Sequence, residues 1–195
     1  MNMNDLHALT GPWRLKHRMI ELAVRYNLAH SEIWSTWHRL LRYGAISWSP
    51  ENTLRIDYTN QTHADEIGEL LVLVEQMALK RSMQYSNKNW HYLVVLASRT
   101  FSAFLNAQGG LCSTASIDFQ TQHKLLHHAA ISNCRSTALI SAHSLLMDAI
   151  ARFQMHGEPI ALDTASIRND HMHVVQRILM DDQRGVLAWS ERHFA

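Results

Sequence analysis

The sequence predicts a mainly α protein, a winged helix-turn-helix followed by an all-α helical bundle. Three observations predict it. Residues 21–46 have the pattern of two helices around a tight turn. A short alternating stretch with a central turn follows at once. Beyond the polar linker Thr59–His63, apolar residues recur at helical spacing to the end of the chain, with almost no strand signal. The expected domains are 1–60 and 64–195.

The elements justify this in order. Leu15, Met19, Leu22, Ala23 and Tyr26 share one helical face, and Asn27-Leu28-Ala29-His30 reads as a turn. A second helix follows with Ile33, Trp37, Leu40 and Leu41 on one face, ending at Gly44. Pro50-Glu51-Asn52 makes a hairpin turn, and Leu54, Ile56 and Tyr58 alternate after it. Six helical patterns then run at about 64–84, 89–107, 118–132, 134–155, 164–180 and 183–194. Breaks fall at Ser86-Asn87, Gln108-Gly109-Gly110, Gly157-Glu158-Pro159 and Asp181-Asp182. No β-sheet is expected within 65–194.

Bulk properties narrow the function. With 47% hydrophobic and 18% charged residues the chain is not a disordered one. No apolar run is long enough to span a bilayer and the N-terminus lacks a signal-peptide pattern, so a cytoplasmic protein with no membrane partner is expected. Cys112 and Cys134 form no CxxC pair and read as free thiols. Residues 1–60 hold seven Lys/Arg against five Asp/Glu, a mildly basic head on a body with eleven against twelve. Fourteen histidines make metal binding worth examining position by position.

In a winged helix the second helix lies in the major groove. Its outward set here is His30, Ser31, Trp34, Ser35, His38, Arg39 and Arg42. Phosphate affinity comes from fixed positive charge, which two arginines and two mostly neutral histidines supply sparingly. Weak, salt-sensitive DNA binding is expected. An outward Trp34 also fits a protein contact.

Three histidines point inward from three helices. His171 shares a stripe with Ile167, Val174, Val175 and Ile178; His193 with Val186 and Trp189; His123 with Phe119, Leu126 and Ala130. Each alone fits a hydrogen-bonded core residue. Together they fit a divalent metal site, and an imidazole-rich set suits zinc or nickel. His127 and His143 are spare candidates.

Residues 21–46 resemble the head of GntR-type transcription regulators through Glu21-Leu22-Ala23, Arg39-Leu40 and Gly44, with His30 and Trp34 where that family carries arginines. The first family helix has only Met1–Gly11 available to it. Residues 64–194 resemble the FCD ligand-binding domain of the FadR subfamily. His123, Leu126, Ala129 and Ala130 match one segment, His171 and His193 have the family's 22-residue interval, and Asp182 falls at its helix junction. Glu66, Glu75 and Ala78 match its first bundle helix. The resemblance implies a homodimeric regulator whose bundle senses a small effector, such as a carboxylate, beside a divalent metal. Two departures matter. Phe119 stands where the family has a metal-binding Asp, with Asp118 one residue off, and Leu71 stands where it has an effector-binding arginine. The rival readings are a metal- or ligand-binding interaction module that no longer reads DNA and, ranked last, a metal-dependent enzyme. No catalytic residue is nominated.

Overall fold

The computed structural model describes residues 21, 23–25, 27–29, 31–35, 46–48, 54–56, 61–156 and 159–194. The chain divides into two compact units, Met1–Thr59 and Asn60–Ala195.

In the first unit, residues 31–35 are helical and Ile33 is buried. The turn before them has Asn27 at φ 49, a left-handed backbone that Asn tolerates better than most residues. Ala29 N–H donates to the Glu32 carboxylate at 2.7 Å, satisfying a donor at the start of the second helix. Strands β1 (Ile46–Trp48) and β2 (Leu54–Ile56) pair antiparallel with Ile46 opposite Ile56, as the alternation predicts.

Among its described residues the second unit has six helices: α1 (Gln61–Gln84), α2 (Lys88–Ala107), α3 (Ile117–Ile131), α4 (Thr137–His156), α5 (Thr164–Leu179) and α6 (Gln183–His193). Four begin at side chains that accept a backbone N–H: Asn87 from Trp90, Ser116 from Phe119, Asp163 from Ser166 and Asp182 from Gly185. Helix α1 packs against α4 and α6, while α2 packs against α3 and α5. Between them lies a core that includes Leu79, Trp90, Val94, Phe101, Leu105, Ile131, Ile178 and Val186. The Trp90 indole reaches the carbonyls of Ala129 and Ala130, which ties α2 to the end of α3.

The expectation of no sheet in 65–194 is corrected at one place. Strands β3 (Leu111–Ser113) and β4 (Ala161–Asp163) pair antiparallel, with Cys112 opposite Leu162. Three residues are too few to show a period of two, and the partners lie far apart in the chain. Gly109 and Gly110, at φ 71 and 111, turn the chain from α2 into β3. The Gly110 carbonyl accepts from Thr164 N–H, and Thr114 N–H donates to the Ile160 carbonyl. The mainly α class stands, with this ribbon joining the chain after α2 to the start of α5.

A four-histidine cluster as candidate functional site

The site begins with the spacing of histidines on α3. His123 and His127 lie one turn apart and share a face. His171 comes from the middle of α5 and His193 from the last turn of α6. Their Nε2 atoms converge. His123 Nε2 lies 3.0 Å from His171 Nε2, 3.2 Å from His193 Nε2 and 3.0 Å from His127 Nε2. His127 and His171 are buried, and His123 and His193 are half-buried.

The other ring nitrogens fix the protons. His171 Nδ1–H donates to the Ile167 carbonyl at 2.8 Å. His127 Nδ1–H donates to Glu75 Oε1 at 2.6 Å, and His193 Nδ1–H donates to Asp170 Oδ2 at 3.1 Å. In a neutral imidazole the nitrogen opposite the N–H is a bare lone pair. Neutral rings held in this way would turn three Nε2 lone pairs toward the Nε2 of His123, which has at most one proton to share among them. A cation at the focus of such an arrangement would relieve the repulsion among the lone pairs. Nitrogens on a tetrahedral zinc at about 2.0–2.1 Å would stand about 3.4 Å apart, close to the observed spacings.

Electrostatics favour the neutral, ligating form. Burial pushes the His123 imidazole well below its ordinary range, and the neighbouring histidines push it further. Burial, then His193 and His127, bring His171 down to about 3. His127 is also lowered, by burial first, although Glu75 pulls it the other way. Burial would raise the Glu75 carboxyl, but the charge and hydrogen bond of His127, with help from His143, hold it below the usual carboxylate range. Its second oxygen accepts from Ser190 Oγ at 2.9 Å. Burial likewise opposes the ionised form of Asp170, and is outweighed by hydrogen bonds from His193 and Trp189 that bring it to about 2.

Aromatic rings wall the cluster. The Phe119 ring stacks on His123 with centroids 5.4 Å apart, and Trp189 stacks on His193 at 4.5 Å. Phe101 meets the His171 ring edge-on. Beside the imidazoles lies a cavity of about 430 Å³, whose other lining includes Phe119, Met147, Ile150, Ile160 and Leu162. Its polar edge holds Thr114, Gln120, Gln154, Ser166 and Asp170, and no Lys or Arg is among its described lining residues. The Gln120 amide donates to Gln154 Oε1 at 2.7 Å and to the Thr114 carbonyl at 2.6 Å.

The structure brings His123, His171 and His193 together, and it adds His127, which the sequence offered only as a spare. The oxygen ligand sought near Asp118 is not supplied there. Helix α3 starts at Ile117, and Asp118 is exposed while Phe119 is buried against His123. Sequence reasoning also missed Asp170 and the role of Glu75. The Asp-His pair 170–171 and the burial expected for a glutamate on the apolar face of α1 were the available signals. Leu71, where an arginine was sought, is fully buried in the core. In the head, Ser31 and Ser35 are exposed, but Trp34 is half-buried rather than standing clear. An indole gains by laying its apolar body along the surface. His30, His38, Arg39 and Arg42 lie outside the described residues.

The chain shares its fold with solved structures of GntR-family transcription regulators. The solved structures it resembles include E. coli McbR/YncC, with a TM-score of 0.66 and 11% identity over 90% of this chain and 81% of that one. A transcriptional regulator of the GntR family from Pseudomonas syringae pv. tomato DC3000 gives 0.54 and 11%, over 93% and 79%. Streptococcus agalactiae GntR gives 0.56 and 12%, over 90% and 84%. No protein-family model matches the chain, and no curated protein matches it in sequence.

Proposed function

We propose that the chain is a GntR-like transcription regulator whose helical unit binds a divalent metal through His123, His127, His171 and His193 and senses a small molecule in the adjoining cavity. The observation that carries the reading is the convergence of the His127, His171 and His193 Nε2 atoms on that of His123, with a carbonyl or carboxylate oxygen held at the Nδ1 of each of the three. Orientation of ligating imidazoles by carboxylates and carbonyls is what metal sites require. An all-nitrogen set favours zinc or nickel over magnesium or calcium.

Four imidazoles would complete a tetrahedral zinc, which would leave no position for a reactive water. That supports sensing over catalysis. The metal ties α3, α5 and α6 together beneath the cavity. An effector lying against Phe119, Gln120 and Gln154 would shift how these helices sit, and a bistable bundle passes such a shift to the spacing of two heads in a dimer. With no Lys or Arg among the described residues that line the cavity, a carboxylate effector would look to the metal ion for fixed positive charge. Exposed Leu93, Leu96 and Leu125, which line one groove, offer apolar area to a second copy.

The test is a gel shift with the metal-loaded chain against DNA from around its own gene, across a salt series. Retarded bands that weaken with salt and shift on adding effector are expected. Absence of any DNA complex at low salt overturns the regulator reading in favour of the metal-binding interaction module. Half-burial of Trp34 weakens that rival, because it removes the exposed indole that suggested a protein contact.

A further inference from the structure

Behind the four-histidine cluster lies a second group of donors. Glu75 of α1, His127 of α3 and His143 of α4 each offer an atom within 4.8 Å of the others, and all three residues are buried. Glu75 Oε1 is 2.6 Å from His127 Nδ1 and 3.6 Å from His143 Nε2. His143 is wholly enclosed, yet neither of its ring nitrogens has a hydrogen-bond partner. A buried imidazole with two nitrogens short of a hydrogen bond has lost its hydration, with the Glu75 carboxylate at 3.6 Å as a partial offset. Its Nε2 stands too far from Glu75 for a hydrogen bond, but at a spacing two ligands of one ion readily take.

We propose that Glu75, His127 and His143 form a second transition-metal site, with the His127 ring bridging the two ions through Nε2 and Nδ1. The proposal rests on the metal reading above, since one imidazole serves both sites. The ionised Glu75 carboxylate supplies the charge that a buried cation needs. Entry of the second ion replaces the proton on His127 Nδ1, which leaves to solvent, so the bridge is an imidazolate and one additional proton is released per ion. A borderline ion that binds imidazolate strongly, copper(II) above all, suits this donor set.

Copper(II) titration of the full, tag-free chain tests it, followed by electron paramagnetic resonance and a pH-stat. Two equivalents are expected. The integrated resonance should rise to the first equivalent and fall by the second, because an imidazolate couples the two spins. His143→Gln should stop at one equivalent with the full single-ion signal and without the additional proton. If the parent and His143→Gln both stop at one copper, the second site is refuted while the four-histidine site stands. If the parent takes up none, both metal readings fall. If two coppers bind with undiminished signal, they share no imidazole and the bridge is refuted. Should His143→Gln fail to fold by circular dichroism, the parent titration decides alone.

Discussion

Glu75 and His127 meet at 2.6 Å with neither side chain more than 1% exposed. The contact links a helix at the start of the bundle to the one that carries half of the imidazole cluster. Glu75 thereby decides which nitrogen of His127 faces the other three histidines. With Nδ1–H held by the carboxylate, Nε2 is left bare, and the ring is locked in the direction a metal ion needs.

Metal loading should be stoichiometric and should stabilise the fold. Purified without chelator or tag, the chain is expected to hold one zinc or nickel in the four-histidine site, and His171→Ala or His193→Ala to lose it. At a free concentration 100 times the dissociation constant, the bound ion adds about 2.7 kcal/mol to stability, visible as a raised Tm. A parent protein without metal, whose Tm ignores added zinc, means the histidines are structural.

Glu75→Gln keeps the shape but removes the charge that orients His127. Zinc affinity should fall about 10- to 100-fold, the usual effect of losing such a supporting partner. Competition with a chromophoric chelator measures it. Unchanged affinity would show that the Glu75 charge gives no support to a ligating His127.

The metal-free protein should lose stability as pH falls. An unfolded histidine titrates near about 6.5, whereas His171 in the fold sits at about 3, and His123 and His127 are lowered as well. The folded values are the depressed ones, so the unfolded chain takes up protons first. The stabilisation is therefore complete above about pH 6.5 and is lost progressively down to about 3 for His171. Each such histidine contributes a slope of about 1.4 kcal/mol per pH unit within the window. Thermal melts in chelator from pH 7.5 to 5 read this out, and a flat Tm would contradict it.

DNA affinity should be modest, and His30→Arg should strengthen it. One new phosphate contact steepens the slope of log affinity against log salt by about 0.9. Trp34→Arg is the poorer probe because Trp34 is half-buried, and its loss is expected to lower the stability of the head. Tight specific binding by the unmodified chain at physiological salt would refute the weak-head expectation.

Trp90→Phe should destabilise the bundle by about 1–2 kcal/mol, since the indole N–H bonds to Ala129 and Ala130 are lost at a buried position. Chemical denaturation should show this with little change in metal affinity, as the indole N–H bonds to backbone carbonyls of α3.

Much of this architecture is local and therefore written in the chain. Runs such as Ile167-His171-Val174-Val175-Ile178 set α5 and its inward face, and Asn87, Ser116, Asp163 and Asp182 set where helices begin. The same periodicity placed His123, His171 and His193 on buried stripes. What it could not do was choose between neighbours on one turn or between strangers in sequence. His127 joined the cluster because the bundle brings it, as well as His123 one turn earlier, to the imidazoles of α5 and α6, a property of packing and not of α3 alone. Glu75, Asp170 and Ser190 acquired roles only where the bundle set them against imidazole nitrogens or a carboxylate. The β3–β4 ribbon arose from two three-residue segments that have no preference until each finds the other. Helix formation depends on residues three and four apart, so a sequence determines it by itself. A binding site depends on groups up to 115 positions apart, as with Ser190 and Glu75, and only the tertiary fold decides which of them meet.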